Sequence, residues 1–156
     1  MKKITLLIAA LFVFSSSFAQ DEMTEEIKMM QELFGAEKKS IIEANVDLSG
    51  EDGAAFWKLY DEYEANRQEI GQAKLELLQK YTNKQGALTN QQASDLLAQA
   101  VPIRTAEDKL ILNYTKRIEK ATNSLISVQF YQIEHYISDG IRFSILNNID
   151  FIQDKN

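Results

Sequence analysis

Phe56, Tyr63, Ile70 and Leu77 recur every seven residues through a stretch that holds no proline. Leu59 and Tyr60 widen this stripe, while Glu62, Glu64, Arg67, Glu69 and Lys74 fall mostly off it. An apolar seam of that period commits the chain to a helix, because a half-buried strand would alternate every second residue. From Glu51 to about Tyr81 the helix would run roughly 45 Å at 1.5 Å per residue. A helix this long needs partner helices along its seam, crossing at a shallow angle. Gly71 inside it costs up to about 1 kcal/mol relative to alanine.

Three further segments carry the same signal. Ile27, Met30, Phe34 and Ile41 mark an amphipathic helix from Thr24 to Asn45. Leu97, Ala100, Ile103, Leu110, Ile111, Tyr114 and Ile118 mark one from about Asn90 to Lys120. Ile126, Phe130, Ile133, Ile137, Ile141 and Ile145 form one stripe from Ser124 to about Asn148, interrupted by Gly140. The single proline, Pro102, lies inside the third helix, where loss of a ladder bond and a clash with the preceding turn predict a kink or break. Gly86 suits a helix stop, and the tail from Phe151 to Asn156 is expected to fray. No β-type alternation exceeds a few residues, and no low-complexity linker divides the chain. The fold class is therefore all-α, with residues 20–156 as one domain of long helices.

The first 19 residues read differently. Lys2 and Lys3 precede the apolar run Ile4–Phe14, and small residues at Ser17 and Ala19 suit cleavage between Ala19 and Gln20. That order is a secretory signal, and the run is too short to cross a bilayer, which takes about 20 residues in a helix. Losing Lys2 and Lys3 moves the net charge from −6 to −8. So acidic a chain has no electrostatic basis for binding nucleic acid or anionic lipid. The absence of cysteine excludes a disulfide framework, thiol catalysis and thiolate metal sites. An exported chain of this composition must be held together by packing alone.

Helix starts share a grammar. Thr89 stands three residues before Gln92, the spacing of a capping box in which each side chain satisfies the other's backbone N–H. Leu48, Ser49 and Asp52 repeat the spacing, and Asn123 after Thr122 offers a weaker third copy. Eight and nine residues after Leu48, Leu88 and Thr122 come the pairs Phe56-Trp57, Leu96-Leu97 and Phe130-Tyr131, expected on the inner face.

Leu88-Thr89-Asn90-Gln91-Gln92 resembles the LTxxQ signature of the Spy/CpxP family of exported all-helical stress proteins. The segment LSGEDGAAFWKLYDEYEANR is similar to that family's first motif and long helix, and QFYQIEHYI to the start of its last. Together these cover roughly Val46 to Ile145. The resemblance implies four helices in a bent hairpin, paired into a cradle-shaped antiparallel homodimer in the periplasm. It implies an ATP-independent chaperone for unfolded or misfolded envelope proteins, with Trp57, Leu96 and Phe130 as candidate client contacts. Some relatives are envelope-stress regulators that bind one signalling partner, and some branches sense metal. The chain departs from the pattern in its Leu-Ser-Gly-Glu-Asp first motif, in Pro102 and in its acidity, whereas a cradle that attracts clients by charge would show basic residues.

Site chemistry of other kinds finds little support. His135 is the only histidine; it lies two residues from Ile133 and from Ile137, which places it on the outer face as an exposed surface residue. The acidic run Asp61, Glu62 and Glu64 reads as a solvated helix face, and Met23, Met29 and Met30 as packing or chain-end residues. No nucleophile elbow or phosphate-cradling glycine loop is present, so the reading is a binding protein with no catalytic residues, no resident metal and no cofactor.

Overall fold

A computed structural model describes residues 34–82, 87–147 and 152–154. The expected signal and its Ala19-Gln20 junction lie outside the described residues, as do Met23, Met29, Met30 and Gly86. The described residues divide after Val46 into two units. In the first, α1 covers 34–45 and ends where the Val46 N–H donates to the Ile42 carbonyl at 2.9 Å. Lys38 sets its ammonium over the Phe34 ring at 5.9 Å.

The second unit holds α2 (Gly50–Thr82), β1 (Ala87–Leu88), α3 (Asn90–Ala121), α4 (Ser124–Asn147) and β2 (Gln153–Asp154). Four helices therefore account for nearly all the described residues, and none is long and apolar enough to cross a membrane. α2, α3 and α4 fall within a residue or two of the sequence expectation, and the expected start of the first helix at Thr24 lies outside the described residues. α2 and α3 are antiparallel along their length, tied by Arg117–Glu62 at 2.5 Å, Asn66 to the Tyr114 hydroxyl at 3.2 Å and Lys74–Glu107 at 2.7 Å. α4 turns back along both: the Ser127 hydroxyl donates to the Thr115 carbonyl of α3 at 2.9 Å, and Asn123 donates to Asp52 of α2 at 2.9 Å.

Two local expectations change. α3 runs unbroken through Pro102. Proline's fixed φ is helical, and a long packed helix absorbs the one bond it deletes. The tail also has a partner: β2 pairs in parallel with β1, Gln153 beside Ala87 and Asp154 beside Leu88. A two-residue pairing leaves no alternation in sequence by which to foresee it.

The core is concentrated at one end. Phe56, Tyr60 and Tyr63 of α2, Ile111, Tyr114 and Ile118 of α3, and Ile126, Phe130 and Ile137 of α4 are all buried. Tyr63 is the hub, with its ring 5.2 Å from Phe130 and 5.5 Å from Tyr114 in edge-on contacts. Such pairs add about 0.5–1.5 kcal/mol beyond their buried area. Among the described residues, α2 buries nothing after Tyr63, α3 nothing before Ile111 and α4 nothing after Ile137.

Candidate functional site

The three helix starts differ in construction. Thr89 is a true capping box: its hydroxyl accepts from the Gln92 N–H at 3.3 Å, and the Gln92 side chain accepts from the Thr89 N–H at 3.0 Å. Leu88 beside it is buried at 4% exposure. The start of α2 is built from glycine instead. Gly50 has φ +68°, in the left-handed region, and a Cβ on Gly53 would lie 2.0 Å from the Leu48 carbonyl oxygen. Ser49 donates its N–H to Asp47 at 3.2 Å, and Asp52 accepts from Asn123. Asn123 in turn caps α4, accepting from the Ile126 N–H at 3.0 Å. The first and third copies of the motif are thus tied to one another.

The apolar pairs do not both face inward. Phe56 and Phe130 are fully buried, whereas Trp57 is half-buried and Tyr131 exposed. Leu96 is half-buried and Leu97 is 63% exposed. Neighbours on a helix differ by about 100°, so only the first of each pair shares the seam. Phe130 must be corrected as a client contact: with no exposed surface, it belongs to the aromatic core. Trp57 rests edge-on against Phe56 at 5.2 Å and Tyr60 at 5.5 Å, which leaves part of its ring outside.

A buried polar cluster lies behind the aromatic ring set. Tyr63 donates to Glu134 at 2.6 Å, and Glu134 is only 2% exposed. Arg67 pairs with Glu64 at 3.0 Å. Burial, and then the Glu134 carboxylate, push the Tyr63 phenol far above its ordinary value; Tyr60 is raised for the same reasons in the same order. Burial works against the Arg67 charge, but Glu64 outweighs it and the guanidinium is held more firmly protonated. The signal for this cluster was available, because Glu134 sits four residues after Phe130 and three before Ile137, on the apolar stripe. Glu62 and Glu64 are also paired with arginines, so the acidic run is only partly solvated. His135, expected exposed on the outer face, is instead half-buried, because the Tyr131 ring one turn away covers it with ring centres 4.4 Å apart. Among the described residues no group of acidic and histidine side chains is arranged to hold a metal.

At the opposite end, Ala73, Glu76, Leu77 and Lys80 of α2 and Ala98, Gln99, Pro102 and Ile103 of α3 line an open groove of about 260 Å³. Pro102 has no N–H to give the Ala98 carbonyl, the ladder bond that any other residue at this position could make. Leu97 and Val101, 63% and 58% exposed, do not line it: at about 100° per residue they lie further round α3, outside the arc of the lining residues. Lys80 reaches Gln99 at 3.5 Å at the rim. Of the three contacts expected from sequence, Leu96 lies nearest this groove in the chain, while Trp57 lies on the aromatic end. Sequence reasoning missed the groove because its walls come from two helices at no fixed spacing.

No protein-family model, curated protein or solved structure matches the chain.

Proposed function

We propose that this is an exported, Spy/CpxP-like binding protein that shields exposed apolar segments of unfolded envelope proteins without ATP or any cofactor. The observation that carries the reading is the open groove between α2 and α3, with the apolar side chains of Leu77 and Ile103 in its walls. A client side chain entering there loses water-exposed apolar area, worth about 25 cal/mol per Å², and releases it readily because the groove is shallow. The scarcity of buried side chains in this half of the helices lets it adapt to unlike segments. The signal at residues 1–19 and the LTxxQ-like start of α3 support an envelope setting, and the paired cradle belongs to the same reading.

The test is light scattering of several unrelated aggregating clients, with stoichiometric chain, at low and high salt. Suppression is expected to persist in salt and to weaken in Ala98→Glu, which sets a carboxylate at an exposed position of the groove wall. No suppression at either salt would overturn the chaperone reading and favour a dedicated signalling partner.

A further inference from the structure

The parallel pair of β1 and β2 joins two unlike strands. β1 is built into the start of α3: Leu88 is buried, the Thr89 N–H donates to the Gln92 side chain at 3.0 Å, and the Thr89 carbonyl accepts from the Ala93 N–H at 2.9 Å. Both backbone groups of Thr89 are thereby spent on the helix, which ends the ladder at Leu88. β2 meets β1 only at Gln153 and Asp154, and Ile152, which leads into the pairing, is 52% exposed. A pairing this short is marginal in water. The tail is therefore the half that opens and β1 the half that stays.

A strand edge that stays in place, with backbone donors and acceptors to offer, is a template for another extended chain. We infer that β1 is an acceptor site for an extended peptide segment running parallel to it, and that the tail is its resident, displaceable occupant. Gln153 and Asp154 show the chemistry the site takes: extended backbone in parallel register, recognised through main-chain hydrogen bonds and so tolerant of most side chains. An unfolded client offers such backbone along its whole length. A folded helical partner does not, because its N–H and C=O groups are already bonded within the helix.

β1 lies at the groove end of the α2–α3 hairpin. From Asn90 to Ala98, the first α3 residue of the groove wall, the helix rises about 12 Å, a span that about four extended residues cover. A client can seat an apolar side chain in the groove and lay adjoining backbone on β1, so that two weak contacts act together. The tail competes for the second contact, and its occupancy lowers the apparent affinity for clients. That clients use the strand site rests on the proposed function; that β1 accepts a strand does not.

Two full-length variants separate the tail from the edge. Gln153→Pro/Asp154→Pro removes both N–H groups of β2 from the ladder. Ala87→Cys/Gln153→Cys, in a chain with no other cysteine, locks the tail in place when oxidised, since paired strands lie about 4.8 Å apart and a disulfide spans Cα atoms at that distance. The probe is a peptide of residues 149–156 at millimolar concentration, the range in which a tethered segment acts. It is expected to shift the Ala87 and Leu88 amide resonances of the proline variant and to leave those of the oxidised lock unmoved. The same peptide with Gln153→Pro/Asp154→Pro is expected to shift neither. Suppressing client aggregation is expected to take about threefold less of the proline variant than of the unmodified chain, and more of the oxidised lock, with the reduced lock like the unmodified chain. No peptide shift in the proline variant, or an equal shift in the oxidised lock, would overturn the strand site whether or not clients are suppressed. Peptide shifts with equal suppression by every form would overturn its use by clients. Suppression by none of the forms would overturn the proposed function, while the peptide shifts still decide the strand site.

Discussion

The two ends of the α2–α3 hairpin are made of the same kind of helix and packed in different ways. Near Tyr63 the seam residues are large and aromatic, and α4 closes over them, so Phe56, Tyr63, Phe130 and Ile118 have almost no exposed surface. Beyond Ile70 the same heptad continues through Leu77, yet α3 offers Ala98, Pro102 and Ile103 opposite it. Small and proline side chains leave a groove where the aromatic end has rings. An unbroken hydrophobic period in one helix therefore does not ensure a closed core. The residues facing it decide, and here they divide the hairpin into a closely packed end and an open one.

Ion pairs link the helices beyond the aromatic end. Glu107 accepts from Lys74 of α2 at 2.7 Å and faces Arg142 of α4 at 3.7 Å, so one carboxylate joins three helices. At the aromatic end, the Tyr63–Glu134 bond is enclosed among rings. A buried acceptor that loses its donor costs about 1–3 kcal/mol, whereas a partly exposed ion pair contributes about 1 kcal/mol or less and weakens in salt.

Substitutions at the two ends sharpen this contrast. Phe130→Ala is expected to cost about 3–5 kcal/mol in denaturant unfolding, against about 1 kcal/mol for the half-buried Leu77→Ala. Equal losses would break the comparison. Gly53→Ala is expected to lose about 1–3 kcal/mol, because its Cβ meets the Leu48 backbone rather than a yielding side chain. Tyr63→Phe is expected to lose about 1–3 kcal/mol by leaving Glu134 without that donor. Thr89→Ala is expected to cost about 1 kcal/mol, and Thr89→Asn to recover most of it.

Alkaline titration separates the ends by another route. A phenol whose folded pKa is raised contributes stability in full below its unfolded value of 10.0 and loses it as pH rises beyond that. Tyr60 and Tyr63 are therefore expected to stay protonated until the chain unfolds, with stability falling above about pH 10. Phenolate absorbance followed together with helical signal checks this. Ionisation of every tyrosine before any loss of helix would contradict the burial of the cluster.

Much of the fold was legible in sequence because long helices advertise their seam repeatedly. Phe56, Tyr60 and Tyr63 as core, Thr89 and Gln92 as a cap, and the limits of α2, α3 and α4 all follow from period and local hydrogen bonding. The rest depended on facts that no single helix contains. Glu134 is a carboxylate on the apolar stripe of α4, and it is Tyr63 of α2, opposite it, that accounts for its burial. Phe130 and Tyr131 were expected together on one face, although 100° of rotation separates them. The groove needed the pairing of α2 with α3, and the Gly53 contact needed the path of the chain through Leu48.

Hydrogen exchange of the chain, residue by residue, with and without an unfolded client, tests the division of labour most directly. Amides near Tyr63, from Ile111 to Ile118 and near Phe130 are expected to exchange only through global unfolding, while those from Ile70 to Thr82 and from Asn90 to Ile103 open at lower free energy. Client is expected to slow the second set and leave the first unchanged. Uniform protection along α2 and α3, or a client effect centred on the aromatic end, would contradict the account.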